Sequence, residues 1–120
     1  MARHNETGKW GEEIATGLLV SKGYAIVERD VKVGRVEIDI IATKDNRVCF
    51  VEVKTRSTDF VDPLEAVDTR KRARMVRAAD SWMQGNRIML EYQFDIILII
   101  GTPDSYTVEF IPDAFFPSLS

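Results

Sequence analysis

The 120 residues are 45% hydrophobic and 29% charged, with sixteen Lys/Arg against nineteen Asp/Glu and a net charge of −3. This is the profile of one globular domain; it excludes a disordered or fibrous chain and leaves no whole-molecule attraction to a polyanion, so nucleic-acid binding has to be local. The single cysteine, Cys49, excludes an intrachain disulfide, a zinc ribbon and a CxxC redox motif. The polar residues 1–6 lack the apolar stretch of a signal peptide, and the longest apolar run, 96–100, falls far short of the roughly 20 residues that span a bilayer. The expected setting is the cytoplasm, without a membrane partner.

No repeat, low-complexity tract or linker interrupts the chain, so residues 1–120 read as a single domain. From about Asn5 to Lys22, Trp10, Ile14, Ala15, Leu18 and Leu19 recur at helical spacing, and Gly23 supplies the stop. Three extended stretches follow, Ala25 to Lys32, Val36 to Ala42 and Val48 to Thr55, separated at Gly34 and at Lys44-Asp45-Asn46-Arg47. They predict an antiparallel meander. Residues 57–63 read as a loop. Met75, Val76, Ala79, Trp82 and Met83 then define a second helix ending near Gly85-Asn86, with either Asp62-Pro63 or Asp68 at its start. Phe94 to Ile100 is the apolar, β-branched run of a strand buried on both faces, and Gly101-Thr102-Pro103-Asp104 turns it into a last strand near Tyr106 to Ile111. The order αβββαββ predicts an α/β fold with a mixed central sheet flanked by helices.

Charge is unevenly placed. Asp104, Glu109 and Asp113 follow residue 100 without a base, whereas Arg70, Lys71, Arg72, Arg74 and Arg77 stand together with no acid between Thr69 and Ala79. Arg70, Arg74 and Arg77 form one stripe suited to phosphates, and Lys71 lies towards the apolar side, within reach of the sheet.

Carboxylates mark the other candidate chemistry. Strand alternation puts Glu37 and Asp39 on one face, continuing with Ile41, and Val36, Ile38 and Ile40 on the other. In the next strand Glu52 and Lys54 share a face with Phe50, and the hairpin turn brings them beside Asp39. A hard divalent cation needs only one or two carboxylates plus a carbonyl and waters, which Asp39 and Glu52 would supply. Lys54 would then set a positive charge beside a bound phosphodiester. On the first helix Glu12 borders the apolar stripe and Glu13 faces away, so Glu12 is the third candidate carboxylate.

Together Gly11-Glu12-x-x-Ala15, Val36-Glu37-Ile38-Asp39-Ile40-Ile41-Ala42, Phe50-Val51-Glu52-Val53-Lys54-Thr55-Arg56, Ala66-Val67 with Lys71, and Phe94-Asp95 resemble the YraN-type family of small bacterial proteins. That family is a branch of the PD-(D/E)xK nuclease superfamily and is similar in layout to archaeal Holliday-junction resolvases. The resemblance implies a restriction-endonuclease-like core, a catalytic set of Asp39, Glu52, Lys54, Glu12 and Lys71, and Mg2+ or Mn2+ held by Asp39, Glu52 and Glu12. It further implies cleavage of DNA, branched or otherwise structured, in repair or recombination, with Arg56 joining Arg70, Arg74 and Arg77 as phosphate contacts. The alternative within the same fold is a catalytically silent nucleic-acid-binding adaptor. A homodimer would suit a twofold junction, with Ala114-Phe115-Phe116-Pro117 as a candidate apolar contact. His4 lies in a polar N-terminus with no second His or Cys there to complete a metal site, and Asp95, alone in its apolar run, is either a buried anchor or an exposed strand end.

Overall fold

A computed structural model describes the backbone of residues 2–57 and 69–115 and the side chains of 9–57 and 70–115. Helix α1 (Ala2–Ser21) leads into β1 (Ala25–Val33), β2 (Val36–Lys44) and β3 (Arg47–Arg56); α2 (Thr69–Gly85) then precedes β4 (Glu91–Thr102) and β5 (Ser105–Phe115). Both helices and all five strands fall where periodicity places them, and each strand runs longer than its apolar pattern alone suggests. The second helix is described from Thr69; Asp62 and Asp68, its two candidate caps, lie outside the described residues, as do Ala66-Val67 and the side chain of His4.

The strands form one sheet in the order β1-β2-β3-β4-β5. Neighbours are antiparallel except β3 and β4, which run parallel because the chain crosses over through α2 between them. The turns are chemically determined. Asp45 and Asn46 both adopt positive φ, as a two-residue type I′ hairpin requires, and Gly34, at φ +63, takes the left-handed position of the β1–β2 turn that a side chain would strain. At the end of α1, Tyr24 N–H donates to Leu19 O at 3.0 Å and Gly23 N–H to Val20 O at 3.0 Å, closing the last turn as a Schellman motif.

Each sheet face carries its own core. On one, Ala15 and Leu19 of α1 cover Ile40, Ala42, Cys49, Val51, Ile97 and Ile99. On the other, Met75, Ala78, Ala79, Trp82 and Met83 of α2 cover Ile38, Ile41, Val48, Phe50, Phe94 and Ile96. Strand β4 is thus buried on both faces, which is why Phe94 to Ile99 carries a single charge. Phe115 packs back onto this second core, stacked on Phe94 with ring centroids 4.8 Å apart, so this member of the C-terminal apolar group is buried within the chain; Phe116 and Pro117 lie outside the described residues.

These two cores correct one expectation. Strict alternation groups Ile38 with Ile40 and sends Ile41 with the carboxylates, but Ile40 faces α1 while Ile38 and Ile41 face α2. The cause is local. Opposite Asp39 stands Asp30, at φ 53, between the paired residues Arg29↔Ile40 and Val31↔Ile38, and a bulge at Val27 shifts the register further along. An interrupted ladder lets consecutive residues turn to the same side.

Candidate active site

The β2–β3 ladder runs from Lys44↔Arg47 to Ile40↔Val51 and stops there among the described residues. Beyond that point β2 stays paired with β1 as far as Val36, and β3 stays paired with β4 as far as Arg56. The sheet therefore forks, and Asp39 sits at the branch. Its Oδ2 accepts a hydrogen bond of 2.8 Å from Val53 N–H, a side chain doing the work of the missing ladder bond.

Glu52, one residue past the last β2–β3 pair, is 4% exposed on the α2 side of the sheet. Its Oε1 accepts from Lys54 Nζ at 3.2 Å and also from Lys71 Nζ of α2. Lys54 and Lys71 therefore meet on one carboxylate oxygen, although 17 positions separate them. The two ammonium groups are driven apart in character. Burial, and then Lys71, pulls Lys54 below its ordinary pKa. Burial also pulls on Lys71, but Glu52, Lys54 and Asp39 together more than offset it and hold Lys71 above its ordinary value. Lys71 is the firmer cation of the pair.

Asp39 is the most perturbed carboxyl among the described residues: burial first, then the neighbouring charge of Glu52, pushes it from 3.8 up to about 8. Glu12 contributes more weakly to the same effect. Helix α1 presents Glu12 at 8% exposure, where its Oε1 accepts from Arg29 Nε at 3.0 Å, while Glu13, exposed on the same helix, takes the Nη2 of the same guanidinium. Burial raises the pKa of Glu12 in spite of Arg29. The helix approaches β3 closely at this level, for a Cβ added to Gly11 would stand 2.6 Å from Thr55 Oγ1.

Asp39, Glu52, Lys54 and Lys71 are thus neighbours, and Glu12 stands at their edge in the grip of Arg29. Among the described residues, the three carboxylates whose oxygens gather within 4.8 Å of one another are a different set, Asp30, Glu37 and Asp39. Asp30 and Arg29 are the residues that sequence reading missed. Their signal was the unbroken charge run Glu28-Arg29-Asp30 inside a strand, where alternation would ordinarily return an apolar residue.

Other candidates lie elsewhere. Arg70, Arg74 and Arg77 are exposed along α2, Arg70 next to Lys71 and the other two about one and two turns beyond it. Arg56 is half-buried, its Nη1 donating to Thr55 O at 2.9 Å. Asp95 is wholly buried; its Oδ1 accepts from Gln93 Nε2 and from Asp113 N–H, each at 2.8 Å, so it anchors the β4–β5 bulge rather than the fork.

The donor set fits a hard divalent cation. Asp39 and Glu52 offer oxygens only, and burial together with the charge of Glu52 raises the pKa of Asp39 to about 8, a penalty on its charged form that a bound cation relieves.

The described elements define an α/β protein with a five-stranded mixed sheet between two helices, compatible with a restriction-endonuclease-like core. Residues 11–99 match the profile of Uncharacterised protein family UPF0102, and the chain belongs to that family, in agreement with the YraN-type resemblance. A UPF0102 protein of Bacteroides thetaiotaomicron is 47% identical over 120 residues, covering 99% of each chain. One of Phocaeicola vulgatus is 40% identical over the same coverage, and one of Prosthecochloris aestuarii is 39% identical across 93% of this chain and 94% of its own. No described helix is long and apolar enough to cross a membrane.

Proposed function

We propose that this protein is a divalent-cation-dependent phosphodiester hydrolase acting on nucleic acid, with DNA, branched or structured, as the substrate class. One observation carries the reading: Asp39, Glu52, Lys54 and Lys71 meet where the sheet forks, two carboxylates and two ammonium groups on rigid strands and one helix. Mg2+ or Mn2+, held by Asp39 and Glu52 with Glu12 nearby, would neutralise charge on the phosphodiester and lower the pKa of a water. The chain's own part is positional. Lys54 sets its charge beside the scissile phosphate and orients the incoming water, Lys71 fixes the Glu52 carboxylate, and Asp39 is held by Val53 N–H in a single orientation. Arg70, Arg74 and Arg77 approach the same substrate from α2, and Arg56 from the end of β3.

Titration calorimetry with Mn2+ and Mg2+ on wild type and Asp39→Asn tests the metal, followed by cleavage of structured DNA. Metal binding and cleavage that Asp39→Asn removes are expected; undiminished cleavage by that variant would sink the assignment. A second reading, a silent nucleic-acid-binding adaptor, draws on the same geometry, because Lys54 and Lys71 already neutralise Glu52 from within the chain. Nucleic-acid binding that is lost on replacing Arg70, Arg74 and Arg77, and that proceeds with no metal effect or cleavage, favours it.

A further inference from the structure

Between the β1–β2 turn and α2 lies a groove of about 320 Å3, lined by Val33, Gly34, Val36, Arg74, Arg77, Ala78 and Ser81. Its volume is at the lower end of the range for small-molecule sites, roughly 300–1,000 Å3. The chemistry of the lining is divided. Val33, Val36 and Ala78 make an apolar floor that is part of the α2-side core, while Arg74, Arg77 and Ser81 stand exposed along one ridge of the helix at three- and four-residue spacing. At the turn the mouth is open among the described residues, none of which comes within 4 Å of where a Gly34 Cβ would stand.

A floor without charge beside two guanidinium groups does not match a bare anion, which would leave the apolar surface in water. It matches a phosphate joined to a flat, weakly polar body: the guanidinium forks take the phosphate oxygens, and a base covers the valines. A base stacked inside a duplex has both faces occupied, so only an unstacked one has a face to offer.

The location agrees. Arg74 is three residues from Lys71, about 4.5 Å along the helix axis, and Val36 is three residues from Asp39, about 10 Å along the strand. The groove thus opens beside the fork, on the same sheet face as Glu52 and Lys54.

We propose that this groove is a subsite for one unpaired nucleotide of a nucleic-acid strand, its phosphate held by Arg74 and Arg77 and its base laid on Val33, Val36 and Ala78. The proposal rests on the nucleic-acid reading above and adds the local structure of the substrate: a strand with at least one unstacked residue beside the phosphate to be cut. Branch points, flaps and single strands provide one; an intact duplex does not.

The test is binding, kept apart from cleavage by EDTA. Fluorescence anisotropy compares a labelled single-stranded oligonucleotide with the same strand in a blunt duplex, for wild type, Ser81→Trp, and Arg74→Gln with Arg77→Gln. The single strand should bind at least about tenfold more tightly than the duplex, the size of one base-stacking contact. Ser81→Trp, which fills the groove without changing charge, should lose most of that advantage, as should the double arginine variant. A nucleoside monophosphate should compete better than inorganic phosphate.

Equal binding of single strand and duplex by the wild type would overturn the proposal, and so would a Ser81→Trp protein, folded by circular dichroism, that binds the single strand as wild type does. Equal competition by inorganic phosphate would overturn it too. All three replaced side chains are exposed, and the arginine pair gives the same answer should the tryptophan disturb the helix. The two readings fail separately. If no DNA is cleaved under any metal while the binding pattern holds, the hydrolase falls and the subsite stands. If DNA is cleaved and Ser81→Trp binds and cuts single strands normally, the subsite alone falls.

Discussion

Asp39 accepts the backbone N–H of Val53 at 2.8 Å, just past Ile40 and Val51, the last paired residues of β2 and β3. A carboxyl thereby closes the end of a ladder and is carried into a partly buried position beside Glu52, where its charge is unwelcome. Structure and candidate chemistry meet in that one side chain, and its proton links them.

The first prediction follows from that proton. The carboxyl of Asp39 is raised from 3.8 to about 8, so between those values the folded chain keeps a proton that the unfolded chain has released. Stability from this group is complete below pH 3.8 and declines as pH rises towards 8, with a limiting slope of about 1.4 kcal/mol per pH unit. Asp39→Asn should flatten the decline, and urea denaturation at pH 5, 7 and 9 measures it. An unchanged slope in the variant would remove Asp39 as the cause. A divalent cation that occupies the site at pH 7 should displace close to one proton, seen as a binding enthalpy that varies with buffer ionisation heat.

Glu52 holds Lys54 and Lys71 on one oxygen. Glu52→Gln removes their common counter-charge and leaves two ammonium groups in each other's field. The expected loss is about 1–2 kcal/mol, smaller than for a fully buried pair because both lysines reach solvent. Lys54→Met placed on that background should recover part of the loss by removing the repulsion; a double variant weaker than the single one in chemical denaturation would contradict this.

The close approach of α1 to β3 gives a packing prediction. A methyl at Gly11 meets Thr55 Oγ1 at 2.6 Å, and a β-branched neighbour has little freedom to withdraw. Overpacking of this kind costs about 1–3 kcal/mol, against a helix-propensity gain of up to about 1 kcal/mol for Ala over Gly. Gly11→Ala should therefore destabilise, and Thr55→Ala should relieve it, so the double-mutant cycle is expected to show favourable coupling of about 1 kcal/mol. Strict additivity would mean that the helix shifts instead. The same substitution should lower any metal-dependent activity, because Glu12 is the next residue.

Cys49 is buried in the α1-side core, and burial, then the field of Asp95, pushes its thiol up to about 12. At pH 8 the folded protein would hold about one thiolate in ten thousand. Thiol reagents should be inert towards the native state and react on unfolding, making Cys49 a probe of global opening. Fast stoichiometric labelling in the absence of denaturant would show that the sheet opens locally near β3.

Much of the architecture is written in short-range pattern. The 3.6-residue spacing of Ile14, Leu18 and Leu19, the apolar run at Phe94–Ile100, and the turn chemistry of Asp45-Asn46 and Gly34 each depend on residues a few positions apart, and all took the expected form. Glu12 over Glu13 was legible for the same reason, since a helical wheel separates neighbours by about 100°. What alternation could not show was its own interruption. Asp30 turns left-handed opposite Asp39, Ile40 and Ile41 exchange faces relative to a regular strand, and a third carboxylate joins Glu37 and Asp39. Nor could spacing show that Lys71 would reach the same oxygen as Lys54, or that two arginines would border an apolar groove at a hairpin turn. Those relationships join residues many positions apart, through a crossover helix and a forked sheet. Local propensity and periodicity carry no term for such distances, so packing two cores on opposite faces of one sheet decided them.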